Sequence, residues 1–78
     1  GRTAEAERNY PLAVAGLEQF TRENLTYSDG FYLLGNAYFA NGQIDKAIAA
    51  YRKSLDLSPG FPRAVYNLGF VLVQKKDK

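Results

Sequence analysis

Residues 28–61 read SDGFYLLGNAYFANGQIDKAIAAYRKSLDLSPGF, and this stretch decides the fold. Phe31, Leu34, Gly35 and Tyr38, then Ala47 and Tyr51, fall at the spacings that put side chains on one face of a helix. Ser28 reads as an N-cap and Asp29 as a first-turn acid, while Asn41-Gly42 is a C-terminal stop. A partner helix begins near Ile44-Asp45 and continues to about Leu57, where Ser58-Pro59-Gly60 breaks the chain. The pattern predicts two antiparallel helices, 29–41 and 44–57. Helices approach to about 8–10 Å only where the facing side chains are small or interlock, and Gly35 and Ala47 supply the small residues. Phe31, Tyr38 and Tyr51 lie on the apolar faces and are read as core.

Working outward, the same residues return after 34 positions. Tyr32, Leu34 and Gly35 align with Tyr66, Leu68 and Gly69, so Pro62 opens a helix that repeats the face of 29–41. In the other direction Tyr10, Ala13, Val14 and Leu17 align with Ile44, Ala47, Ile48 and Tyr51. This predicts a first helix from about Tyr10 to Asn24, capped by Asn9, with Pro11 in its first turn and an apolar face of Leu12, Val14, Ala15, Leu17 and Phe20. Glu18 and Arg22 are expected to pair across one turn on its exposed side. Gly1 to Arg8 aligns with the tail of an earlier helix and is expected to be partly helical or frayed. The organisation is a degenerate half-repeat over 1–27, a full unit over 28–61 and a first helix over 62–78. A helical Gly costs about 1 kcal/mol relative to Ala, so two of them at a fixed period imply a packing role for both.

This pattern of a bulky residue, Leu-Gly, Tyr, Ala, an aromatic and a closing Pro resembles the tetratricopeptide repeat, a 34-residue helix–turn–helix unit. The resemblance covers about 70 residues, with the signature complete only from Phe31 to Pro59. It implies an all-α fold in which antiparallel helix–turn–helix repeats stack as a short right-handed superhelical solenoid. No Trp holds the bulky opening position, where Phe31 and Val65 stand instead. The first half-repeat has Phe20 and Leu25 where a small residue and a Pro are usual, which predicts a spread or reoriented junction over Thr21 to Tyr27.

In this family the first helix of each repeat lines a concave face that holds a protein or peptide partner. By resemblance, that face presents Asp29, Tyr32, Leu33, Asn36 and Ala40 from one helix, and Arg63, Tyr66, Asn67, Phe70 and Gln74 from the next. Asn36 and Asn67 stand where members that grip the C-terminal carboxylate of chaperone peptides carry two asparagines. Tyr32, however, replaces the first Lys of that clamp, and the repeat supplying the other cations is absent, so a generic groove for an extended or helical segment fits better. Replacing Asn36 and Asn67 by Ala is expected to weaken partner binding and leave melting unchanged.

Composition bounds the alternatives. The chain has 78 residues, 46% hydrophobic and 23% charged, which is the balance of a folded domain. A core of this size rarely supplies more than ~3–5 kcal/mol. The absence of Cys and His excludes disulfides, thiol nucleophiles and the usual zinc sites, and leaves the compartment open. A net charge of +2, drawn largely from Lys75 to Lys78, is no basic stripe for nucleic acid. There is no apolar run of bilayer length, no phosphate loop and no nucleophile motif. Neither catalysis nor a cofactor is expected, and membrane insertion by this segment is not either. Phe70-Val71-Leu72-Val73 is apolar all round in a helix with one predicted neighbour. It implies a fragment of a longer repeat array or, as the alternative function, self-association through edge helices at Phe70, Val71 and Val73.

Overall fold

The computed structural model describes residues 2–76, with side chains from Asn9 onward. Four helices follow one another: α1 (Arg2–Glu23), α2 (Ser28–Ala40), α3 (Ile44–Leu57) and α4 (Pro62–Lys76). Each packs on the next in the chain, α1 on α2, α2 on α3 and α3 on α4, so the molecule is a short α-helical solenoid of antiparallel pairs.

The α2–α3 hairpin is closed at both ends. At its tip Gly42 adopts φ 78°, where a Cβ would be strained. Its N–H bonds to the Phe39 carbonyl and that of Gln43 to the Tyr38 carbonyl, so the last carbonyls of α2 are satisfied. At its base the buried Ser54 hydroxyl donates to the Ser28 carbonyl at 2.9 Å. Ser28 is thus the first helical residue and not a side-chain cap; Tyr27 holds the cap position without a side-chain bond. Between the two ends Ala47 is wholly buried, and a Cβ on Gly35 would lie 2.6 Å from the Tyr51 ring. The close approach expected at Gly35 and Ala47 is present, and the partner of Gly35 is an aromatic face.

Three expectations for α1 are corrected. Asn9 is not a cap, because α1 runs unbroken from Arg2 through Pro11. Pro11 removes one N–H and disfavours helix at Tyr10, yet Ala4, Glu5, Ala6, Glu7 and Arg8 are strong helix formers, and the turns after Pro11 are held by packing. Residues 2–8 are therefore helical, and Gly1 lies outside the described residues. On the apolar face Val14 is buried and Leu17 half-buried, whereas Leu12 and Ala15 are exposed. Glu18 does not pair with Arg22: its Oε2 accepts the Tyr38 hydroxyl of α2 at 2.5 Å, and the single salt bridge among the described residues joins Lys75 to Asp45.

The junction over Thr21 to Tyr27 is closed and not spread. Gly30 of α2 is buried beside Thr21, Tyr27 and Phe20, where an added Cβ would make only ordinary contacts from 3.5 Å, and Phe20 and Tyr27 meet edge to face at 5.6 Å. Gly69 departs from its periodic partner, since a Cβ there meets nothing within 4 Å.

Gly35→Leu is expected to destabilise the chain by about 1–3 kcal/mol through overpacking on Tyr51, read as a lowered melting temperature. Gly69→Ala, at dilute chain, is expected to be stabilising by up to ~1 kcal/mol from helix propensity alone. Equal responses at the two glycines would refute the contact. A second expectation concerns pH. Burial foremost, then the hydrogen bond to Glu18 and its charge, push the Tyr38 hydroxyl up to about 12, against about 10 in an unfolded chain. The unfolded chain releases this proton first, so the associated stability is complete below about pH 10 and is lost as pH rises through about 12. Denaturation across that window is expected to be shallower in Tyr38→Phe than in the unsubstituted chain.

Candidate partner-binding groove

α2 and α4 are neighbours across α3, and their facing turns enclose an open groove of about 470 Å³. It is lined by Asn36 and Phe39 of α2, Tyr66, Asn67, Phe70 and Val71 of α4, and Tyr51 of α3. Tyr51 and Val71, each 1% exposed, are its buried members, and Phe39 meets Phe70 edge to face at 5.8 Å. None of the seven side chains is charged.

Polar contacts concentrate on one atom. Asn36 Oδ1 accepts the Tyr51 hydroxyl at 2.5 Å and the Asn67 Nδ2 at 2.9 Å. Asn67 Nδ2 also lies 3.4 Å from the Tyr32 hydroxyl. The amides of α2 and α4 are thereby joined to each other and to α3. Burial, before any other influence, raises the pKa of the Tyr51 hydroxyl and keeps it a donor. Asn36 Nδ2 and Asn67 Oδ1 take no bond among the described residues, and no buried side-chain polar atom is unpaired there, so both reach solvent. One is a donor and the other an acceptor, the pair a peptide backbone needs.

Of the residues read as groove positions, Asn36, Tyr66, Asn67 and Phe70 line this space. Tyr32 stands beside it, its ring 5.1 Å from Phe61 and 6.1 Å from Tyr51. Asp29 and Arg63 are exposed in the first turns of α2 and α4, outside the lining, as are Leu33 and Ala40. Gln74 lies on a separate shallow face of α4 with Val65, Gly69 and Val73. Val71, named for self-association, points into the core; Phe70 and Val73, 47% and 57% exposed, are open. Phe39, Tyr51 and Val71 are lining residues that the sequence reading did not assign to the groove. Phe39 follows Asn36 by three positions and Val71 follows Asn67 by four, so helical spacing carried the signal for both. For Tyr51 no signal existed, because it enters from the other helix of the pair.

Comparison with known proteins gives one family model, that of the TPR repeat, matching residues 35–76. Among curated proteins the chain is 30% identical, over its whole length, to photosystem I assembly protein Ycf3 of Acaryochloris marina, of which it covers 49%. It is 29% identical over 99% of its length to the cell division cycle protein 27 homolog of Caenorhabditis elegans, of which it covers 10%. Protein bimA of Emericella nidulans is 31% identical over 91% of the chain, which spans 9% of that protein. The chain thus spans about half or much less of the length of these relatives.

The geometry revises the expectation that Asn36→Ala is silent in the fold. Removing Asn36 Oδ1 leaves the Tyr51 hydroxyl without its acceptor and Asn67 Nδ2 with only its 3.4 Å contact to Tyr32, a loss of about 1–3 kcal/mol. Asn36→Ala is expected to melt lower than the unsubstituted chain, while Tyr66→Ala, at a side chain 74% exposed, melts unchanged. Thermal denaturation of the two variants checks both.

Proposed function

Because the chain belongs to the tetratricopeptide repeat family, whose members are in general protein-interaction modules and assembly factors, we propose that it binds an extended segment of a partner protein across α2 and α4, without chemistry of its own. The observation that carries this reading is the Asn36–Asn67 bond, which leaves one donor and one acceptor free beside an aromatic groove. The free amide atoms suit the partner's backbone, and Phe39, Tyr66 and Phe70 suit one apolar or aromatic side chain. A terminal carboxylate fits less well, since no Lys or Arg lines the space. One relative is itself named an assembly protein, which accords with a role in holding other proteins.

A second reading, self-association through the edge helices, is favoured by the open face of α4, where Val65, Phe70 and Val73 are all exposed.

For the groove, peptides selected from a random library on the full chain are expected to shift the side-chain amide signals of Asn36 and Asn67 in nuclear magnetic resonance spectra. Tyr66→Ala and Phe70→Ala are expected to lower their affinity about tenfold or more, with melting unchanged in Tyr66→Ala and lowered in Phe70→Ala, which also gives up the contact with Phe39. Peptides that bind both variants equally and leave the amide signals in place would refute the groove.

A further inference from the structure

The α2–α3 hairpin gives a template for what covers α4. In that hairpin Phe31, Leu34, Gly35 and Tyr38 of α2 meet α3 residues that include Ala50 and Tyr51. Their counterparts one period on are Val65, Leu68, Gly69 and Leu72 of α4, where Val65 and Leu72 are exposed and Gly69 has open space before it. The complementary surface is also in the chain. The counterparts of Ala47, Ala50 and Tyr51 are Ala13, Gly16 and Leu17 of α1. Ala47 and Ala50 are buried, but Ala13 and Gly16 are exposed, and a Cβ on Gly16 meets nothing within 4 Å. Among the described residues α1 and α4 therefore each present one unfilled half of an interface whose filled form is seen between α2 and α3.

One pair of residues makes the match specific. Within the chain Lys46 of α3 lies over the Tyr38 ring of α2 at 5.8 Å. The counterparts are Leu12, 71% exposed, and Leu72, 38% exposed. Both partners change together, from a cation over an aromatic ring to two leucines. The described residues leave Leu12 largely open, and this register gives it a partner.

We propose that a second copy of the chain docks its α1 on the open face of α4, completing there a hairpin like that of α2 and α3. The proposal rests on the self-association reading above and gives it a site and a direction. The two surfaces differ, so the contact is head-to-tail and repeats from copy to copy. A single helix-on-helix contact is small, which puts the association at the weak end of the range.

Sedimentation of the full 78-residue chain tests it, from low micromolar to near-millimolar concentration. The weight-average mass is expected to rise at least twofold. Leu12→Glu and Gly69→Glu, each alone, are expected to stay at one-chain mass with helicity and melting retained. Their equimolar mixture is expected to rise to two-chain mass and stop, because each variant keeps the one face the other needs. Gly16→Glu and Val73→Glu, also at exposed positions, replace either variant that fails to fold. A wild-type chain that stays single at near-millimolar concentration overturns self-association altogether. A wild-type chain that assembles, with Leu12→Glu still assembling alone, overturns the head-to-tail contact and leaves self-association standing through some other face.

Discussion

Tyr51 is the side chain on which three of the four helices depend. Its ring lies on the bare backbone at Gly35, which sets the separation of α2 and α3, and its hydroxyl is held by Asn36, which also holds Asn67 of α4. One residue thus fixes the closeness of a hairpin and the placement of the next helix. The dispersion part of the contact is summed over a whole ring face, whereas the polar part is one bond whose loss would strand a buried donor. Small cores have few such points. With about 3–5 kcal/mol available to a chain of this size, the loss of either part removes a large share of the stability.

The helix pairs, their order and their ends were legible because they follow from local rules. Asn41-Gly42, Ile44 and Pro62 mark boundaries that the structure places at those residues or beside them, and helical spacing shows the buried faces of α2 and α3. The errors lie where a local rule met a competing contact. Ser28 looks like a cap, but the helix takes it in as its first residue, with Tyr27 at the cap position and Ser54, twenty-six residues away, bonded to the Ser28 carbonyl. Glu18 has a partner at helical spacing, but a buried tyrosine hydroxyl offers a better one than an exposed guanidinium, whose pairing is worth little in water. Pro11 looks like a beginning, and the strong helix formers before it prevail.

The groove was legible only in part, for a related reason. The face that carries Asn36, Tyr66, Asn67 and Phe70 was assigned by resemblance to the family, and these four residues do line one space. Which of them are used up by the fold cannot be read so, because that depends on distances between helices. Asn36 shows the difference. As a sequence position it is a free amide on a binding face, whereas in the structure its oxygen is committed to Tyr51 and Asn67 and only its nitrogen remains. A residue tied into the fold is a poor probe of a proposed binding role, and the exposed Tyr66 beside it tests that role without disturbing the core.

The groove and the open face of α4 share Tyr66 and Phe70, so the two proposed activities are coupled through geometry. If α1 of a second copy completes the hairpin at α4, the α2 of that copy comes to rest beside α4 as α4 now rests beside α2. In that register its Leu33 and Asn36 would face Phe70 and Val73 of the first copy's α4, as Asn67 and Phe70 of α4 now face Asn36 and Phe39. Assembly in this register lengthens the groove instead of blocking it, and a partner long enough to cross the junction would bind the assembled form more tightly than the single chain. By reciprocity the same partner would favour assembly.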